Sequence, residues 1–196
     1  MSPRRAVLRW GPACLAAALL AGASGHGAGD RPAGPASEYQ IKAAYLYYFS
    51  TYVRWPEGVA AGGGDLVIGI LGDDPFGRLL DDTLRDKSAG ERRLTVRRFA
   101  DARAAIRSHI LFVSPSEETR LPRILETLAG TPVLTVSDID RFAERGGQVG
   151  FRMEDRKVRF DINLASTESA GLRISAQLLK LARIVRPGAS PGGPPE

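Results

Sequence analysis

Apolar residues recur at helical spacing early in the chain. Ile41, Tyr45, Tyr48 and Tyr52 follow one another at steps of 4, 3 and 4 residues. This spacing places them on one side of a helix, which we predict over residues 38–54 and which Trp55-Pro56 would end. The first prediction is therefore a helix with an aromatic stripe.

The same helix is unusually rich in rings, since YLYYFSTYVRWP contains four of the five tyrosines. Three interpretations are open: a core, a stacking platform for a ligand or nucleic acid, and a docking surface. Helical spacing favours burial of Tyr45, Phe49 and Tyr52. Tyr47 and Tyr48 lie about 100° apart on a helix, so we expect one of them near the surface, where it is a candidate contact for a partner.

Short apolar runs then alternate with helical patterns. We predict strands and helices in alternation, which is typical of a mostly parallel sheet flanked by helices on both faces. The strands are predicted at 66–71, 93–99, 109–114 and 132–137, and the helices at 76–87, 101–106 and 117–128.

The pattern changes towards the end of the chain. QVGFRM (148–153) and KVRFDI (157–162) alternate strictly, which predicts an antiparallel hairpin turning at Glu154-Asp155-Arg156. Apolar residues at steps of 4, 3 and 4 predict a final helix over 167–185. The expected fold is thus a single α/β domain: a mostly parallel sheet flanked by helices, with a C-terminal antiparallel hairpin and a final helix.

The two ends of the chain have a different composition. Residues 1–23 combine early arginines, an apolar run and a final Ala-Gly-Ala, which predicts a cleaved signal peptide and a periplasmic protein. Small residues, Pro and Gly dominate 24–37 and 187–196, predicting a flexible lead-in and a disordered tail around one domain at 38–186.

Removing the signal peptide changes the charge and the available chemistry. It leaves 24 basic against 22 acidic residues, and only Lys42 and Arg54 lie among the aromatic residues, so nucleic-acid binding is not expected. The only cysteine, Cys14, is removed as well. With His109 as the one histidine in the predicted domain, no metal centre, cofactor site or catalytic motif is expected.

Polar residues follow several of the predicted strands. Ligands of open α/β sheets bind outside the carboxyl ends of the strands, so these residues are candidates for a small-molecule cleft. Helix capping explains the serines and acids equally well, and the paired acids are also open to a general acid and base role. The candidates are Gly72, Asp73, Asp74, Ser114, Ser137 and Asn163.

The hairpin offers a second candidate surface. Arg152 and Arg159 lie on its polar face, which is either simply solvated or a place where another protein docks.

Four blocks of the sequence form a recognisable set: the aromatic helix ending in Trp55-Pro56, LVIGILGDDPFG, HILFVSPSE, and the long last block that contains Phe160-x-Ile162-Asn163. Together they resemble the YfiR-like family of periplasmic proteins. The resemblance implies an α/β fold without catalytic activity and a periplasmic regulator, often a homodimer. It also implies repression of an inner-membrane diguanylate cyclase through its periplasmic part, which lowers cyclic di-GMP and biofilm formation.

Two departures from the family pattern bear on this expectation. Tyr48 replaces an asparagine that is frequent in the first helix of the family. The predicted mature chain also lacks cysteines, whereas the repressor after which the family is named has disulfides and responds to redox conditions. The sequence thus favours a non-enzymatic regulator that binds an inner-membrane sensor. A periplasmic small-molecule binding protein is the alternative.

Overall fold

The computed structural model describes residues 35–60, 64–186 and 188. Its helices are α1 (Pro35–Tyr52), α2 (Glu57–Ala60), α3 (Arg78–Leu84), α4 (Ala102–Ala105), α5 (Leu121–Leu128), α6 (Leu164–Ser169) and α7 (Ala176–Leu179), with a 3-10 helix at Pro115–Arg120. Its strands are β1 (Val53–Arg54), β2 (Leu66–Leu71), β3 (Ser88–Ala89), β4 (Arg92–Phe99), β5 (Ile110–Val113), β6 (Leu134–Ser137), β7 (Val149–Glu154), β8 (Lys157–Asn163), β9 (Arg173–Ile174) and β10 (Arg183–Val185).

Eight strands form one mixed sheet in the order β10-β8-β7-β6-β5-β2-β4-β3. The neighbouring pairs from β4 across to β7 are parallel, whereas β3 and β8 each run antiparallel to their partners β4 and β7. The continuous apolar runs of β2, β5 and β6 are buried along their whole length, as expected for central strands covered on both faces. The predicted α/β fold is confirmed.

Two apolar clusters lie on opposite faces of this sheet. One contains Leu46 and Phe49 of α1 and Leu80 of α3. The other contains Ala105 of α4 and Ile124 of α5. Helices therefore cover both faces, with α1 and α3 on one side and α4 and α5 on the other.

The predicted hairpin is confirmed, and the structure defines its register. Phe151 pairs with Phe160, and Arg152 with Arg159. Asp155 and Arg156 form the two-residue turn with φ of 49° and 60°. Positive φ at both positions is typical of a type I′ turn, whose twist matches that of the flanking strands.

The single helix predicted over 167–185 is wrong. The segment instead contains the end of α6, then β9, α7 and β10. Gly171 adopts φ 73° after α6, and the following segment pairs Ile174 with Val53 in a two-stranded sheet with β1. Val185 joins the main sheet opposite Asn163. Strand partners distant in sequence thus determine the structure of a segment whose apolar spacing looks helical.

Burial of Tyr52 is also a wrong prediction. The core-facing side of α1 consists of Ala43, Leu46 and Phe49, which are fully buried, whereas Tyr52 is exposed. Because apolar residues lie on every side of α1, their spacing does not single out the buried side. Tyr45 is half-buried and packs against the core.

The predicted signal peptide (1–23) lies outside the described residues. The same holds for most of the lead-in and of the tail, although α1 already begins at residue 35 and not at 38. None of the helices described is long and apolar enough to cross a membrane.

Candidate functional site: an apolar groove on the first helix

An apolar groove runs between α1 and α7. It has a volume of about 460 Å³, and all the residues that line it are uncharged. Four of them are large apolar side chains that remain exposed: Ile41, Tyr48, Tyr52 and Leu181, which is 63 % exposed. The lining comprises Ile41, Ala44, Tyr45, Tyr48, Tyr52, Gln177, Leu178 and Leu181.

The groove is formed in part by the predicted aromatic stripe, which largely faces solvent and not the core. The rings of Tyr48 and Tyr52 lie 6.4 Å apart, and Tyr48 is 5.7 Å from Tyr47. Beneath them, Phe49 stacks on Phe151 at 6.0 Å, so the core side of the helix is fixed to the hairpin. The aromatic residues of α1 therefore serve both as core and as exposed surface.

A buried charge cluster fixes the start of α1. Lys42 is 2 % exposed, and its Nζ lies 2.5 Å from both Asp138 Oδ2 and Glu38 Oε1. The Tyr39 hydroxyl donates to the same Asp138 oxygen at 2.9 Å. Burial and the Asp138 charge both raise the pKa of Tyr39, which keeps the phenol neutral and donating. Asp138 follows β6, so the cluster ties α1 to the carboxyl end of a central strand.

The other predicted contact residues do not join the groove. Tyr47 is half-buried, with Lys87 Nζ 4.8 Å from the centre of its ring. Arg152 and Arg159 alternate with Phe151 and Phe160, which face α1, so the two arginines point to the opposite face of the sheet.

Arg152 also has a structural role. Its Nε donates to the buried Asp161 at 2.8 Å, and Arg183 of β10 donates to the same carboxylate. The cluster thus attaches the edge strand to the hairpin. Arg159 is half-exposed and lies 3.8 Å from Glu154, a weak surface pair.

Most of the predicted strand-end residues act as caps. Ser114 Oγ accepts from the amide of Ser116, and Ser137 Oγ accepts from that of Ile139. Asp74 Oδ1 accepts from the amides of Phe76 and Gly77. These side chains are therefore occupied within the protein.

Asn163 lies beside the start of β7, away from the carboxyl ends of the parallel strands, because β8 runs antiparallel to β7. Its Oδ1 accepts from the amide of Ser166 and caps α6, while its Nδ2 donates to the carbonyl of Ala143. The predicted ligand residues are thus not brought together as one set.

Gly72 and Asp73 lie beside a feature that the sequence analysis missed. A Cβ on Gly72, which has φ 86°, would lie 2.8 Å from the side chain of Glu117. Glu117 is 4 % exposed and pairs with Arg120. The glycine allows this buried carboxylate, whose partner Arg120 is exposed, to approach the end of β2. No sequence signal marked Glu117, which is simply the first residue of the helix predicted over 117–128.

The chemistry of His109 is limited by its surroundings. Val67 N donates to Nδ1 at 3.1 Å, and Arg92 Nη2 lies 2.8 Å from Nε2. Burial, and then the Arg92 charge, lower the pKa of His109 to about 4. Within the described residues, no three His, Cys, Asp or Glu side chains are grouped so that they could hold a metal ion.

The fold and the groove define a class: an α/β domain that presents an aromatic, uncharged surface. Comparison with known families identifies it further, since a family model described as YfiR/HmsC-like matches residues 39–183. The chain therefore belongs to the YfiR/HmsC-like family, whose members are known for non-catalytic regulation in the periplasm.

A solved structure gives a weaker match. It is described as the ABC domain in complex with L-Trp from Streptococcus pneumonia, and it is 10 % identical with a TM-score of 0.47. The match covers 61 % of this chain, which spans about half (55 %) of that one.

Proposed function

We propose that this protein is a non-enzymatic periplasmic regulator that binds and represses an inner-membrane signalling protein, a diguanylate cyclase. The exposed groove between α1 and α7 carries the proposal. Ile41, Tyr48 and Leu181 are each more than 40 % exposed in one contiguous uncharged surface. Contiguous apolar patches of this kind mark protein–protein contact sites, and tyrosine is enriched at the centres of such interfaces.

The shape of the groove fits an amphipathic helix of the partner. A trough between two helices accepts side chains at helical spacing, a recurrent mode of recognition. Such a helix in the periplasmic part of a membrane sensor would insert apolar side chains between Tyr48 and Leu181. Repression would then lower cyclic di-GMP by holding the cyclase in its inactive arrangement.

The charges at one end of the groove favour an acidic partner. Arg54 and Arg173 lie directly opposite each other in β1 and β9, next to Tyr52, and like charges in this arrangement repel. In the described part of the chain, neither arginine forms an ion pair. A carboxylate on the partner would relieve the repulsion, and this would favour one orientation of the partner helix along the groove.

Complementation of a deletion strain tests the proposal. The wild-type protein is expected to lower cyclic di-GMP and to capture the cyclase from crosslinked native membranes, whereas Tyr48→Ala and Leu181→Ala weaken both effects about tenfold or more. Ile106→Ala is the matched control, because Ile106 is an exposed apolar residue outside the groove. Unchanged cyclic di-GMP on deletion, or equal losses in the control variant, would refute the proposal.

A further inference from the structure

The connections after β2 and its neighbours diverge. The connection after β2 leads to α3 on one face of the sheet, while those after β4 and β5 lead to α4 and α5 on the opposite face. The loops at the carboxyl ends of these strands therefore separate and leave a cleft. Such switch points are where open α/β sheets bind small ligands.

Two adjoining pockets lie at these strand ends, the smaller between α4 and α5 and the larger beside the loop after β2. Their volumes are about 310 Å³ and 460 Å³, and they share Ala100, Glu117 and Arg120. The smaller pocket has three arginines in its wall, Arg103, Arg120 and Arg123, against the two carboxylates of Asp101 and Glu117. The larger one adds Arg98 and Asp73. The cleft is thus far richer in guanidinium groups than the sequence analysis suggested.

Not all of these arginines are neutralised. Arg98 pairs with Asp74 and Asp81, and Arg120 pairs with Glu117. Arg103 and Arg123 form no ion pair with any carboxylate among the residues that the structure describes.

The smaller pocket also has an apolar part. Leu71, Ala102 and Ile124 are buried side chains that form part of its lining. An occupant of this pocket would therefore meet guanidinium groups in one region and aliphatic carbon in another.

We infer that this cleft binds a small organic dianion, whose oxyanion groups are held by Arg103 and Arg123. A guanidinium group binds two oxygens of a carboxylate or phosphate at once, and the apolar residues accept a short carbon skeleton. A volume of about 310 Å³ is at the lower end for ligand pockets, which favours a phosphate ester or a dicarboxylate of a few carbons. The cleft shares no residue with the groove between α1 and α7, so this inference does not depend on the proposed function.

Titration calorimetry of the purified protein tests the inference. Inorganic phosphate and succinate are titrated in separate experiments at constant ionic strength, with acetate as the monoanion. We expect at least one of the two dianions to bind with a Kd below about 1 mM and at least about tenfold more tightly than acetate. The two titrations distinguish a phosphate from a dicarboxylate ligand.

Matched variants locate the binding. Arg103→Gln and Arg123→Gln are expected to weaken it about tenfold each, while Arg107→Gln, which removes the same charge from an exposed position outside the pockets, leaves it unchanged. Circular dichroism verifies that each variant is folded. Absence of heat for both dianions, affinity for acetate equal to theirs, or equal losses in Arg107→Gln would each overturn the inference.

Discussion

Replacing Lys42 by methionine tests how the groove-bearing helix is held. The ammonium group is nearly inaccessible and lies 2.5 Å from Asp138, whose side chain is 10 % exposed. Methionine retains the apolar stem and removes the charge. Among the described residues, the buried Asp138 carboxylate then keeps only the Tyr39 hydroxyl as a side-chain partner. Glu38 is about one quarter exposed and reaches water at little cost.

The expected loss is large. Breaking a buried ion pair by removing one partner costs about 3–5 kcal/mol. For a domain of this size, each kcal/mol lowers Tm by about 2–4 °C, so Lys42→Met lowers Tm by about 6–20 °C. Urea denaturation monitored by circular dichroism, with wild type and variant at pH 7, gives the difference in unfolding free energy.

A second variant separates charge from packing. Lys42→Met combined with Asp138→Leu removes both charged groups, and it is expected to recover most of the lost stability because no buried carboxylate is left without its cation. A loss below about 1 kcal/mol in Lys42→Met would refute the reasoning, as would a double variant less stable than the single one.

Two further predictions concern protonation and backbone conformation. Because the folded-state pKa of His109 is about 4, below the ordinary value of about 6.5, the unfolded state takes up a proton first as pH falls, and stability is lost between these values. His109 is only half-buried, so we expect it to account for a loss of about 1–2 kcal/mol in unfolding free energy between pH 7 and pH 4. The loss is measured as the difference between wild type and His109→Gln, and equal dependence of stability on pH in the two proteins would contradict this. Arg156→Gly is expected to stabilise the protein by about 0.5–1 kcal/mol, since glycine adopts the positive φ of 60° without strain. An unchanged or lower urea midpoint would contradict that prediction.

Local patterns predicted most of the sheet. Continuous apolar runs located β2, β5 and β6, and strict alternation located the hairpin, because both patterns reflect burial on one or two faces of a sheet. These signals are local in sequence and can be recognised without knowledge of the strand partners.

The end of the chain could not be predicted in this way. Ile174 and Val185 have helical spacing, yet each pairs with a strand more than 20 residues away. Gly171 was the available signal, since a glycine in a helical pattern often ends the helix.

The site was predictable only in part. Tyr48 was one of two candidates for a surface contact, with Tyr47, because two adjacent tyrosines cannot share one buried side. Leu181 was missed, because it was assigned to the apolar stripe of a helix that does not form. Arg103 and Arg123 were missed since single arginines on short helices look like ordinary surface residues until the fold places them around one pocket.

Photo-crosslinking from the groove is the most direct test of partner binding. A photoreactive phenylalanine analogue is placed at position 48, or at the exposed position 106 as the control, in cells that express the protein in its natural compartment. We predict a crosslink from position 48 to an inner-membrane protein with a cyclase domain and none from position 106. Crosslinks of equal yield from both positions, or none from position 48 when the protein is folded and abundant, would contradict the proposal that the groove docks a membrane sensor.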